Sequence, residues 1–274
     1  MLTSYLIKTK KIMNSKKIFL NLLMLTSLLS FFNCSAKSSS NVIDGKTVDH
    51  TEWSTLLKKH VSESGKVDYK GFQSDKKELG NYLQLLLKTN AAELPEKERL
   101  AFWINAYNAF TVEVILRNYP VKSIKDIRNA KSLVAKATGD SQVWVENLPY
   151  KFYGNEELSL ANIENQKLLK DLFDPRIHFA INCASFSCPA LDNEAYTGAK
   201  IENQLEKAAK TFLSDKTKNK IAANSVEMSS IFDWYKKDFT KKTDLITFLN
   251  KYASTKINEN AEIGYLKYNW SLNE

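Results

Sequence analysis

Glycine and proline are scarce, eight and five among 274 residues, and their scarcity excludes a good deal. No glycine-rich phosphate loop, dinucleotide fingerprint, GxSxG elbow or HExxH helix occurs, so no cofactor is expected on those grounds. No repeat and no low-complexity linker divides the chain. Histidine and cysteine are rarer still, three of each, and His178 is the one histidine beyond position 60. Excess charge is lacking too. The whole chain carries +8, but five lysines lie in the first 33 residues, leaving 34 basic against 31 acidic residues, or +3. So near a balance there is no electrostatic case for nucleic acid.

What is present begins with a leader. Lys8, Lys10, Lys11, Lys16 and Lys17 precede an apolar run from Ile18 to Phe32, the n-region and h-region of a secretory signal. Fifteen residues are too few to span a bilayer, which needs about 20. Cys34 then stands where a bacterial lipoprotein signal is cut and its cysteine lipidated, and SAKSSSN resembles a flexible tether. Asn33 and Phe32 occupy places where such signals carry small residues, so secretion with a later cut stays open. The expectation is a signal over 1–33, a tether over 34–47 and one domain over 48–274. It is exported to the cell envelope, either periplasmic or held at the membrane by a lipid on Cys34. Such a compartment permits disulfides.

The chemistry gathers in RIHFAINCASFSCP, Arg176 to Pro189, which holds His178 and two of the three cysteines. Ile177, Phe179 and Ile181 alternate with His178, Ala180 and Asn182, predicting a strand that delivers Cys183 and Cys188 onto a loop. A thiol beside an imidazole is a nucleophile in waiting. On a straight strand Cys183 would lie on the opposite face, ~16 Å from His178; Cys188, after the loop, returns more easily. The rival reading is a Cys183–Cys188 disulfide, whose short loop is worth only ~2 kcal/mol in the chain-entropy model. Zinc fits poorly, since the two cysteines and His178 supply three ligands at an unusual spacing.

Around this stretch the chain reads as mostly helical. Two helices are expected between His50 and Asn90, with His50 and His60 as surface histidines. KERLAFWINAYNAFTVEVILRN, started by Pro95 and Glu96 and stopped by Pro120, is greasy nearly all round and therefore central. Asn105 and Asn108 on it need partners, because a buried amide without them costs ~1–3 kcal/mol. Either they tie a loop to the helix, or one orients a catalytic imidazole or an oxyanion. QVWVENLPYKFYGNEELSL reads as a hairpin about Asn147 and Leu148. Ser159 caps the helix that follows, whose Glu164 is either a surface acid or a catalytic one. Tyr196 reads as a packing residue, and Ile231, Phe232, Trp234, Tyr235 and Phe239 as core. The end of the chain, with Ile263, Tyr265, Tyr268 and Trp270, reads as a strand.

FWINAYNAF, LSLANIENQKL, DPRIHFAINCASFSCPAL and SSIFDWYKKDF, in that order, resemble the family catalogued as domain of unknown function 547, from about Arg99 to Phe239. The resemblance supplies no reaction. It implies that Asn105, Tyr107, Glu164, His178, Cys183 and Cys188 fall on positions the family pattern emphasises. Asn165 departs from it, since many similar chains carry His there.

The expected fold is therefore α+β, a helix-rich single domain with a small, mostly antiparallel sheet built from the hairpin, the His178 strand and the terminal strands. A central helix beside a histidine-bearing strand is also the papain-like and transglutaminase-like arrangement, an analogy of fold alone. The expected function is a thiol-dependent hydrolase or acyl transferase acting on an unknown envelope substrate. A cysteine serves as nucleophile, His178 as base, and Asn105 or Glu164 as orienting group. The alternative is a non-catalytic envelope lipoprotein that binds a partner or ligand through the same pocket.

Overall fold

One helix, buried on every side, organises the chain. The computed structural model describes residues 46–127 and 143–274, within the compact unit Ile43–Glu274; Cys34 and the proposed leader lie outside the described residues. The first elements are α1 (Thr51–His60), α2 (Tyr69–Ser74), α3 (Lys76–Lys88) and the long α4 (Glu96–Asn118). Asp68 caps α2 by accepting the Gly71 N–H, a boundary that makes three helices of the two expected before Asn90.

Every residue of α4 from Ala101 to Leu116 is buried. Burying a polar side chain without a partner is costly, and four side chains of α4 clasp other parts of the chain. Glu98 accepts from the Val48 and Gly198 amides, and Glu113 from the Tyr150 hydroxyl. Asn105 donates to the Tyr196 carbonyl at 2.7 Å and accepts its N–H at 2.9 Å. Asn108 donates to the Ala180 carbonyl at 2.9 Å and accepts the Asn182 N–H at 2.8 Å. α4 is thus a spine on which distant loops are hung.

The hairpin pairs β1 (Asn147–Phe152) with β2 (Glu156–Ser159), antiparallel. Its turn falls at Gly154 and Asn155, both at positive φ, rather than at Asn147 and Leu148. Alternation alone does not mark a turn; the two residues that tolerate a left-handed backbone do. Ser159 makes a capping box with Asn162 and opens α5 (Leu160–Asn162), which runs on as a π-helical segment, Ile163–Leu168.

The strand expected over residues 177–182 is instead a single helical turn, α6 (Ile177–Ala180). Ile177 and Ala180 pack into the core around α4, while Phe179 enters a second cluster with Phe212, Phe232, Phe239 and Phe248. All six residues from Ile177 to Asn182 are buried, so no solvent face exists for an alternating pattern to report. The second cluster is walled by α7 (Ile201–Ser214), α8 (Ile231–Trp234), α9 (Lys236–Phe239) and α10 (Leu245–Leu249). Its sheet has the order β3 (Lys220–Ile221), β4 (Ser225–Ser229), β5 (Glu262–Leu266), with β3–β4 antiparallel and β4–β5 parallel. The fold is helix-rich α+β, its strands divided between two small sheets.

Both early histidines are buried, contrary to the surface reading. His50 Nδ1 meets the Tyr82 hydroxyl at 2.7 Å and His60 Nε2 meets Asp75 at 2.6 Å. Their partners lie 32 and 15 positions away, so the polar local sequence gave no sign of them.

Candidate functional site

The site starts with the fixing of α6. The Asp174 carboxylate accepts the Arg176 backbone N–H at 2.8 Å and its guanidinium at 2.6 Å, and Arg176 also reaches Glu202 on α7. This holds the residue that precedes the turn, and His178 is the second residue within it. Its ring lies against Tyr235, centroids 3.9 Å apart, and Nε2 is 2.9 Å from Asp238 Oδ2. A carboxylate only accepts, so Nε2 carries the hydrogen and Nδ1 the lone pair. Burial pulls the imidazole pKa down and Asp238 pushes it up; the net is downward, leaving a neutral ring near pH 7.

Past α6, Asn182 ties the cysteine loop shut. Its Nδ2 donates to the Pro189 carbonyl at 2.7 Å and its Oδ1 accepts the Ala184 N–H at 2.8 Å. Ala184 takes φ 59°, a left-handed conformation that costs a residue with a Cβ about 1–2 kcal/mol. Such strain gathers at functional sites. The clamp brings the Cys183 N–H to 2.9 Å from Cys188 Sγ. Cys183 Sγ lies 3.1 Å from Ser185 Oγ and 3.4 Å from the Tyr268 hydroxyl. Both thiols are free, so the bridge is not formed.

Burial pushes the Cys188 thiol up, but donors converge on it: the Cys183 thiol, the Tyr268 hydroxyl, the Cys183 amide and the Ser185 hydroxyl. They win, and its pKa falls to about 7. Cys183 moves the other way, raised by the neighbouring Cys188 sulfur and by burial. The two thiols titrate as a pair, and the first proton leaves from Cys188.

Glu164, on the π-helical segment, is buried rather than at the surface. π-Turns inside helices often accompany functional side chains. The Tyr235 hydroxyl donates to its Oε1 at 2.7 Å, and the Tyr107 hydroxyl also bonds it. Burial nevertheless raises this carboxyl above its usual range. Asn165 is exposed and bonds the Ala161 carbonyl.

Glu164, His178, Cys183 and Cys188 line one cavity of about 290 Å³. Asn105 does not; its amide is spent on Tyr196, which is itself buried away from that cavity. Among the described residues neither sulfur hydrogen-bonds to the imidazole, and no group of three or more His, Cys, Asp or Glu side chains is placed to hold a metal ion. Trp144, Trp234, Tyr235, Tyr268 and Trp270 also line the cavity. Trp234, half exposed, thus belongs to the site rather than to the core, while Tyr235 lines the site and also packs against the second cluster.

Reasoning from the sequence missed Asn182 as a clamp and Asp238, Tyr235 and Tyr268 as partners. The signal for Asp238 and Tyr235 lay within the block IFDWYKKDF, where polar residues interrupt an apolar run.

Residues 91–213 match the family described as Protein of unknown function, DUF547. The DUF547 segment contains the spine α4, Glu164, His178 and both cysteines, but ends before Tyr235, Asp238 and Tyr268. No curated protein and no solved structure matches the chain.

Proposed function

We propose that this cavity is the active site of an exported thiol-dependent hydrolase or acyl transferase with Cys188 as nucleophile. The observation that carries the reading is the Cys183 N–H directed at Cys188 Sγ, 2.9 Å away, in the cavity that also holds His178 and Glu164. A thiol brought to about 7 is about half thiolate in neutral solution, while Glu164 is shifted toward its protonated form. Groups whose environments drive their pKa values apart are natural candidates for acid and base.

The Cys188 thiolate attacks a carbonyl carbon, and the carbonyl electrons move to oxygen. As they return, the leaving group departs with a proton from Glu164. Water or an amine then attacks the acyl-cysteine and passes its proton to His178 Nδ1, and the acyl–sulfur bond breaks. Asp238 positions the imidazole by fixing its tautomer. Asn105 is outside this scheme and serves the fold.

p-Nitrophenyl acetate provides the test. The wild type releases nitrophenol in a burst that Cys188→Ser abolishes, and His178→Ala slows the steady release that follows the burst at least about tenfold, within the range of general-base effects. Release no faster than by the unfolded chain removes the enzyme reading. It would leave binding through the same cavity, which its five aromatic walls favour.

Export and a lipid on Cys34 belong to the same proposal, supported by the lysine-rich start and the apolar run after it. In a bacterial host, Cys34→Ser should move the protein from the membrane to the soluble envelope fraction. Unchanged fractionation would count against the anchor.

A further inference from the structure

A nucleophilic cysteine has no need of a second thiol, yet here one is held against it. Asn182 grips both ends of the loop, at Ala184 and at Pro189, and the Cys188 N–H closes back on the Ser185 carbonyl at 3.0 Å. Between those ties Cys183 gives its backbone N–H to Cys188 Sγ and keeps its own sulfur beside Ser185 Oγ and the Tyr268 hydroxyl. Cys183 is partly exposed, Cys188 is buried, and both stand on the wall of a cavity of about 290 Å³. Two unbridged thiols on a clamped loop, open to a cavity of that size, suit a small disulfide better than a protein one.

We propose that Cys183 and Cys188 form a dithiol that reduces a low-molecular-weight organic disulfide, Cys188 attacking and Cys183 resolving. This activity goes beyond the acyl reading: it uses the same sulfur on another substrate class and has no step for His178. The Cys188 thiolate attacks one sulfur of the disulfide; that S–S bond breaks, and the first thiolate leaves and takes a proton from solvent. Cys183 then gives up its proton and attacks the Cys188 sulfur, and the mixed disulfide releases the second thiolate. Two protein S–H groups become one S–S bond, and the external disulfide gains two electrons and two protons.

Oxidised glutathione is the probe, and the full chain carrying Cys34→Ser is the protein, so that only the pair is counted. After incubation, acid quench and alkylation, mass spectrometry should show both thiols protected, with the mass of two hydrogen atoms lost. Adding Cys183→Ser should accumulate a glutathione adduct on Cys188. Adding Cys188→Ser should slow any adduct at least about tenfold relative to that variant. Circular dichroism checks that each variant is folded. If both thiols remain open to alkylation at equilibrium with oxidised glutathione, the dithiol is refuted. If Cys188→Ser forms its adduct as fast as Cys183→Ser, the assignment of Cys188 as attacker is refuted. The readout counts protein thiols and needs no acyl substrate, so failure of the acyl reading leaves it intact.

Discussion

Asn182 hangs from Asn108: its backbone N–H donates to Asn108 Oδ1 at 2.8 Å, while Asn108 Nδ2 donates to the Ala180 carbonyl at 2.9 Å. One side chain of the buried spine thus fixes the chain on both sides of Ile181, where α6 gives way to the cysteine loop. Asn108→Ala leaves two buried backbone groups without partners and should cost about 2–4 kcal/mol in urea unfolding. Asn105→Ala should cost a similar amount, since it frees Tyr196 in the same manner. The two differ at the thiols: cysteine alkylation should change in Asn108→Ala and stay at the wild-type rate in folded Asn105→Ala.

Gly65 predicts a remote effect on the same loop. At φ 78° a Cβ there would lie 2.3 Å from Ala190 Cβ and 2.7 Å from Ala190 Cα, so the backbone after Pro189 would have to move. Gly65→Ala combines this clash with left-handed strain and should destabilise by more than about 2 kcal/mol. Faster alkylation of Cys188 in this variant would show the loop loosened; an unchanged unfolding midpoint would contradict the close approach.

His50 predicts how stability responds to acid. Burial drives its pKa from 6.5 down to about 4, against the opposing pull of Glu98 and Asp49. In that window the unfolded chain binds a proton that the folded chain refuses. Stability is therefore full above pH 6.5 and falls as the pH drops toward 4, by about 1.4 kcal/mol per unit, or about 3 kcal/mol in all. The buried Nε2, which has no hydrogen-bond partner, fits a ring kept neutral. His50→Gln should remove close to one proton from the pH dependence of urea unfolding between those limits. A slope unchanged from wild type would assign the acid sensitivity elsewhere.

Cys188 predicts a pH profile. In the Cys34→Ser chain its alkylation by iodoacetamide should rise with a midpoint near 7 rather than near 9. Cys183→Ala removes a thiol donor that lowers this value, so the midpoint should move upward. A midpoint at the ordinary thiol value in both proteins would mean that the convergent donors do not act on this sulfur.

The parts legible in the sequence are those governed by local rules. α4 announces itself through apolar residues on every face between Glu96 and Pro120, and Ser159 through a cap that needs only Asn162 three positions on. α6 was hidden because all six residues from Ile177 to Asn182 are buried between two cores, where strand and helix look alike. His178, Cys183 and Cys188 stood out as rare reactive side chains in one short stretch, Glu164 only through the family resemblance, and the fold gathers all four. Their partners Asp238, Tyr235 and Tyr268 lie 60, 71 and 85 positions from the groups they contact, and no periodicity connects such distances. The amide of Asn105 looked the same in sequence as that of Asn108; only tertiary structure separates the one that holds Tyr196 from the one that holds the cysteine loop.

Tyr268, whose hydroxyl shelters the Cys183 sulfur, is followed by residues that lace over the same loop, the Ser271 carbonyl accepting from Phe186 and the Asn269 carbonyl from Ser187. During translation this cover arrives late: Tyr268 is polymerised 85 positions after Cys183. At ~5–20 residues per second that is a delay of roughly 4–17 s. For those seconds the two sulfurs of the loop lack this cover, and any oxidant or misplaced electrophile that reaches them competes directly with the synthesis of residues 268–271.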